Sequence, residues 1–164
     1  MIEKIFTKGI QYIMLLVLFV FSISCQGPLV GEEIEFITPN EYKDLSSDPA
    51  NLVIKTKNGG WSFDRVHYND TTVNLSTGEI HKVNFGKVTD PKFSYSTKTL
   101  NNKSITEISG SFFTITSERL NNSNEPIVIT VDITENTSNE KRVLLVELLH
   151  LDSGGFFRIE QNHK

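Results

Sequence analysis

Between Ile127 and Ile133 every second residue is a branched aliphatic. Ile127, Ile129, Val131 and Ile133 alternate with Val128, Thr130 and Asp132. A period of two sends alternate side chains to opposite faces of an extended chain, so this segment is a half-buried strand. It needs partners, because one strand buries nothing alone. From Ile34 onward no window sustains the 3.6-residue apolar period of a helix, apart from one short helical turn expected at Asn40–Leu45. Strand patterns recur instead: Leu52, Ile54 and Thr56, then Trp61–Tyr68, Ile80–Phe85 and Phe112–Ser117. Over Trp61–Tyr68, strict alternation puts Trp61, Phe63, Arg65 and His67 on one face. Val143–Leu151 is almost wholly apolar and reads as a central strand covered on both faces. Asp152-Ser153-Gly154-Gly155 is expected as a four-residue loop leading into a last strand, Phe156–Gln161.

Turn signals separate these runs: Asn58-Gly59-Gly60, Asn69-Asp70, Ser76-Thr77-Gly78 and Asn136–Asn139. The 14 Asn, 15 Ser and 15 Thr fit turns and exposed strand faces better than helices. The reading is an all-β, antiparallel, immunoglobulin-like β-sandwich of seven to nine short strands. With 38% hydrophobic and 22% charged residues the chain can bury a core, and 164 residues allow one domain of this kind. No 20- to 50-residue repeat is visible, which argues against a propeller or solenoid.

The first 25 residues are of another kind. Lys4 and Lys8 precede the uninterrupted apolar run Ile13–Phe21, too short to span a bilayer and of the length of a secretory signal. Ser22-Ile23-Ser24-Cys25 follows, and Cys25 is the only cysteine. This resembles the lipobox of bacterial lipoproteins, with small Ser24 before the cysteine, although Ser22 stands where leucine is usual. The resemblance implies a signal helix over residues 1–24, removed on processing, lipidation at Cys25 and anchoring in the outer membrane. Whether the periplasmic or the surface face is occupied stays open. Gln26–Glu33, broken by Gly27, Pro28 and Gly31, reads as a tether to a domain over 34–164.

A second resemblance covers about residues 51–162. The strand Ile127–Ile133, the turn Asn136-Thr137-Ser138 with Arg142 beyond it, and the closing Ile159-Glu160-Gln161 are similar to the last strands of BACON-type immunoglobulin-like domains of Bacteroidetes. Leu52–Phe63, which runs through Asn58-Gly59-Gly60 into Trp61, resembles their opening strand pair. Phe85–Ser109 is longer and more polar than the family pattern. The resemblance implies a glycan-binding or spacer module.

Chemistry has little support. His67, His81, His150 and His163 do not form a ligand set; His150 and Asp152 make one pair without a third member. No Gly-x-Ser-x-Gly elbow or phosphate loop occurs, and Glu107, Glu118, Asp132 and Glu147 fall on separate segments. A non-catalytic chain without metal or cofactor is expected. A formal charge of −4 gives no reason to expect nucleic acid. The candidate ligand-binding residues are aromatic. Trp61, after its glycine turn, is a sugar platform or, on the plainer reading, a core tryptophan. Tyr68 and Tyr95, with Phe93, form a second patch. Thr71, in Asp70-Thr71-Thr72, resembles a Bacteroidetes O-glycosylation acceptor. The expected role is adhesion or glycan or ligand presentation by a lipid-anchored envelope module, with a structural accessory subunit that binds another envelope protein as the alternative. The expected partners are the membrane through Cys25, and either a glycan or an envelope protein.

Overall fold

A computed structural model describes residues 33–164 except 121–124 and 152, so the expected signal helix, Cys25 and most of the tether lie outside the described residues. The chain folds as the expected β-sandwich, and twelve strands are formed among the described residues rather than seven to nine. One sheet has the order β1-β12-β11-β3-β4-β5-β6, from Glu41–Leu45, Ser153–Gln161, Arg142–His150, Ser62–Tyr68, Thr71–Asn74, Ile80–Lys82 and Gly86–Val88. The other has the order β2-β10-β9-β8-β7, from Ala50–Lys55, Val128–Ile133, Phe113–Leu120, Lys103–Ser109 and Ser94–Leu100. All pairings are antiparallel except β1 with β12.

The alternation in β10 sets the core. Ile127, Ile129, Val131 and Ile133 are buried, whereas Val128 faces outward. They meet Ile54, Phe113 and Ile115 on their own sheet and Val66, Leu144, Val146, Phe157 and Ile159 from the other. At roughly 1.5–3 kcal/mol for each fully buried aliphatic or aromatic side chain, this face drives the two sheets together.

Several expectations fail for identifiable reasons. Asn40–Leu45 ends in an edge strand, not a helical turn. Tyr42 aligns with Ile159 but Leu45 with Gln161, and the extra residue forms a bulge with Asp44 at φ 59°. The bulge turns both Tyr42 and Leu45 to the core, which imitates helical spacing. A second bulge sits at Asp64, where Arg65 opposes Glu147 but Phe63 opposes Leu148. It interrupts the alternation, so Trp61 and Phe63 share the inner side with Val66 and Tyr68, while Arg65 and His67 turn outward. Ile80–Phe85 is not one strand, because Lys82 pairs with Gly86 around a tight turn with Asn84 at φ 70°.

The apolar run at β11 is central, but only Leu144, Val146 and Leu148 are buried; Leu149 on the other face is exposed. Its hairpin is tighter than the expected four-residue loop, since His150 pairs directly with Ser153. The polar stretch before Ser109 forms β7 and β8, closed by Asn101 and Asn102 at φ 48° and 61°. Two consecutive left-handed residues make the hairpin turn that matches strand twist, and asparagine tolerates that conformation.

At the β8–β9 turn the backbone comes close to a core ring. A Cβ on Gly110 would lie 2.3 Å from Cε1 of Phe113. Phe113 is buried and cannot withdraw. Gly110→Ala is expected to cost about 1–3 kcal/mol by overpacking, measurable as a lower denaturant midpoint at unchanged slope; an unaltered midpoint would disprove the contact.

Candidate functional site

The inner face of the five-stranded sheet changes character along its strands. Tyr95, Ile108, Ile115 and Val131 align in one row, and the last three are fully buried. One step further the row is Thr97, Thr106, Ser117 and Ile129, and the next is Thr99, Ser104 and Arg119. Hydroxyls thus occupy inward positions that a sandwich ordinarily fills with aliphatic groups. Thr97, Ser104, Thr106 and Ser117 line one wall of a cleft of about 290 Å³, with Trp61, Ser62 and Phe63 on the other side.

The cleft is held open by bonds rather than by chance. Trp61 Nε1 donates to Thr56 Oγ1 at 3.2 Å and to the Asn58 carbonyl at 3.1 Å. Its ring meets Phe63 edge-on, centroids 5.4 Å apart. Arg119 Nη1 donates to the Trp61 carbonyl at 2.9 Å, which fixes one arm of the guanidinium fork across the gap. Thr97 and Thr106 share a 3.2 Å hydroxyl bond, and the Thr97 hydroxyl donates to Tyr95 Oη at 3.4 Å. The cleft volume lies near the lower end of the roughly 300–1,000 Å³ typical of small-molecule sites.

Of the three aromatic candidates, the cleft joins two. Tyr95 is 45% exposed on the edge strand β7 and presents a ring to solvent. Trp61 is 2% exposed, so it floors the cleft and has no free face for a sugar ring. That is the core position of the plainer reading. Tyr68 is separate, buried on the other sheet. It stacks on Phe93 with planes 3° apart and donates to Asp90 at 2.7 Å. Burial first, then the Asp90 bond, pushes its phenol far above the usual tyrosine range. Desolvation alone would raise the Asp90 carboxyl, yet the bonds from Tyr68 and the Lys92 amide and the nearby lysines hold it low. Thr71 is also buried and bonds Asp70 at 3.1 Å, so a transferase would have to reach it before the chain folds.

Sequence reasoning missed Ser104, Thr106, Ser117 and Arg119. The signal was available: the inward series Phe113, Ile115 ends in Ser117 and Arg119, an apolar face that becomes polar before the strand ends.

Two other features compete. On the outer face of the seven-stranded sheet, His67 lies between Thr72, 2.9 Å from Nδ1, and Glu147, 3.0 Å from Nε2. That order resembles nucleophile, base and orienting acid, but Glu147 is already paired with Arg65 at 3.3 Å and the three stand on an open sheet. A depression of about 540 Å³ lies beside them, where Gly154 has no side chain between Leu149 and Phe156. Its charged groups are Asp64, Arg65 and Glu147, and Arg65 pairs with both carboxylates, at 3.8 Å and 3.3 Å, which leaves little to orient a polar ligand. Among the described residues no group of three or more His, Cys, Asp or Glu could hold a metal ion.

No protein-family model matches the chain, and no curated protein matches it. Among solved structures it is similar to an NMR structure of a protein from Bacteroides thetaiotaomicron. That likeness has a TM-score of 0.42 and 10% identity, and covers 85% of this chain and 96% of that one.

Proposed function

We propose that the chain is a non-catalytic, lipid-anchored module of the bacterial outer membrane that binds a glycan in the cleft between its sheets. The observation that carries this reading is the wall of inward-facing hydroxyls, Thr97, Thr106, Ser104 and Ser117, beside the exposed ring of Tyr95. Hydroxyls in a partly desolvated recess pair with the hydroxyls of a sugar, and a tyrosine face takes the apolar side of its ring. Arg119 adds a donor fork already fixed in place. The lipobox resemblance at Cys25 supports anchoring, and the BACON-type resemblance supports a glycan over other polar ligands.

Trp61 supplies the test. Titration of the full chain in detergent with a panel of neutral oligosaccharides should change its emission, since its ring floors the cleft. Tyr95→Ala should then raise Kd about tenfold, the equivalent of about 1.4 kcal/mol. Stability should stay within about 0.5 kcal/mol, because the residue is exposed. Flat titrations across the panel, or a Tyr95→Ala chain that binds like the parent, would remove the cleft as the site.

A further inference from the structure

The end of the sandwich at which the tether enters carries the exposed leucines of the described residues. Ile34 is buried against the β12 backbone at Gly155, where a Cβ would lie 3.0 Å from Ile34 Cβ. Ser62, Leu149 and Gly154 align across β3, β11 and β12 at this end. The Arg119–Trp61 bond joins it to the end of β9, where Leu120 pairs with Lys103 and Lys103 with Leu100. Leu100 and Leu120 are exposed on the outer face of the five-stranded sheet, Leu149 and Phe156 on the outer face of the seven-stranded one, and Leu151 at the tip of its β11–β12 turn.

Leu151 is the least expected of them. It lies in the β11–β12 turn, 60% exposed, with φ 53°. Glycine or asparagine fills that backbone conformation without the steric cost leucine meets. A strained apolar side chain at a tip serves stability in water badly, and fits a surface that receives it.

The tether decides which surface. Gln26–Glu33 separates Cys25 from the buried Ile34, and eight residues span at most about 29 Å when fully extended. An acyl anchor at Cys25 would keep the residue at which the domain begins within a tether's length of the bilayer. We propose that the tether-proximal end, led by Leu151, docks into the headgroup–acyl boundary of the membrane that carries the anchor. The inference rests on the lipid-anchor reading. Docking supplies the second membrane contact that turns a lipid attachment into a fixed orientation, and it sets the domain upright on the surface.

The experiment uses the full chain, processed and lipidated in its host. Acylation consumes the Cys25 thiol, so Leu151→Cys introduces the one free thiol for an environment-sensitive fluorophore. The labelled protein is reconstituted in vesicles of phosphatidylcholine and phosphatidylethanolamine, with and without a lipid that carries a shallow acyl-chain quencher. Leu100→Cys is the second position at the same end. Phe85→Cys, in the β5–β6 turn at the opposite end and also exposed, is the reference. The expected result is blue-shifted emission and loss to the quencher at 151 and 100, with neither at 85. Water-like emission at 151 and 100, as a surface reserved for a protein partner would give, overturns the docking. So does equal quenching at 85. If the unsubstituted chain itself takes up the thiol label, Cys25 is not acylated, and the anchor falls together with the docking.

Discussion

Replacing Asn136 with alanine is expected to lower unfolding free energy by about 3 kcal/mol, from the roughly 1–3 kcal/mol lost for each buried group left unpaired. Asn136 is fully buried. Its Nδ2 donates to the carbonyls of Glu140 at 2.9 Å and Asn162 at 3.0 Å. Its Oδ1 accepts from the Ser138 amide at 3.1 Å and hydroxyl at 2.7 Å. The side chain thus closes the β10–β11 turn on itself and ties it to the C-terminal segment. Its own amide donates to the Ser47 carbonyl at 2.7 Å, a bond that alanine keeps. For a domain of this size the loss should lower Tm by about 6–12 °C at about 2–4 °C per kcal/mol. Asn136→Asp is a sharper variant, since a carboxylate keeps the bonds from Ser138 but faces two carbonyl oxygens that need a donor. A loss below about 1 kcal/mol for alanine, the net worth of one ordinary hydrogen bond, would show that the turn does not depend on this side chain.

That turn was legible before any coordinates, because asparagine followed two residues later by serine is a local hydrogen-bonding pattern. The β10 strand was legible for a similar reason: its period belongs to one uninterrupted segment, and Ile127–Ile133 alternate in burial as in sequence. The errors fall where one extra residue changes the phase. The bulges at Asp64 and before Leu45 each move the following side chains to the other face, and neither residue type announces it. Strand β7 was hidden differently. All seven of its residues are exposed, so no apolar alternation exists to be read. The cleft inherits both difficulties. Trp61 and Phe63 face it only because the Asp64 bulge intervenes, and Tyr95 reaches it from β7. The hydroxyl wall depends on register among β7, β8 and β9, which is a property of pairing and not of any one segment.

Trp61 carries the second large effect. Trp61→Ala should cost about 3–5 kcal/mol, the range for removing a buried aromatic side chain. The indole is buried, bridges Thr56 and Asn58 through its N–H, and packs edge-on against Phe63. Its loss takes one donor from the Thr56 hydroxyl, which keeps its own bond to the Asn58 carbonyl at 2.8 Å and the bond from the Ile127 amide at 3.3 Å, so a link between the two sheets goes while Thr56 stays paired. Trp61→Phe keeps a six-membered ring but loses the pyrrole part and its N–H bonds, and the cost should fall to about 2–3 kcal/mol. Native emission should be blue-shifted and poorly quenched by acrylamide, as burial of the indole requires. Red-shifted, freely quenched emission, or an alanine variant with the parent's midpoint, would contradict the burial. The same numbers decide how the cleft must be probed. A Trp61→Ala chain that fails to bind a glycan says nothing about recognition, because the floor of the cleft has gone with the ring. Tyr95 stands on the exposed edge and bears little of the fold, so its removal reads binding alone.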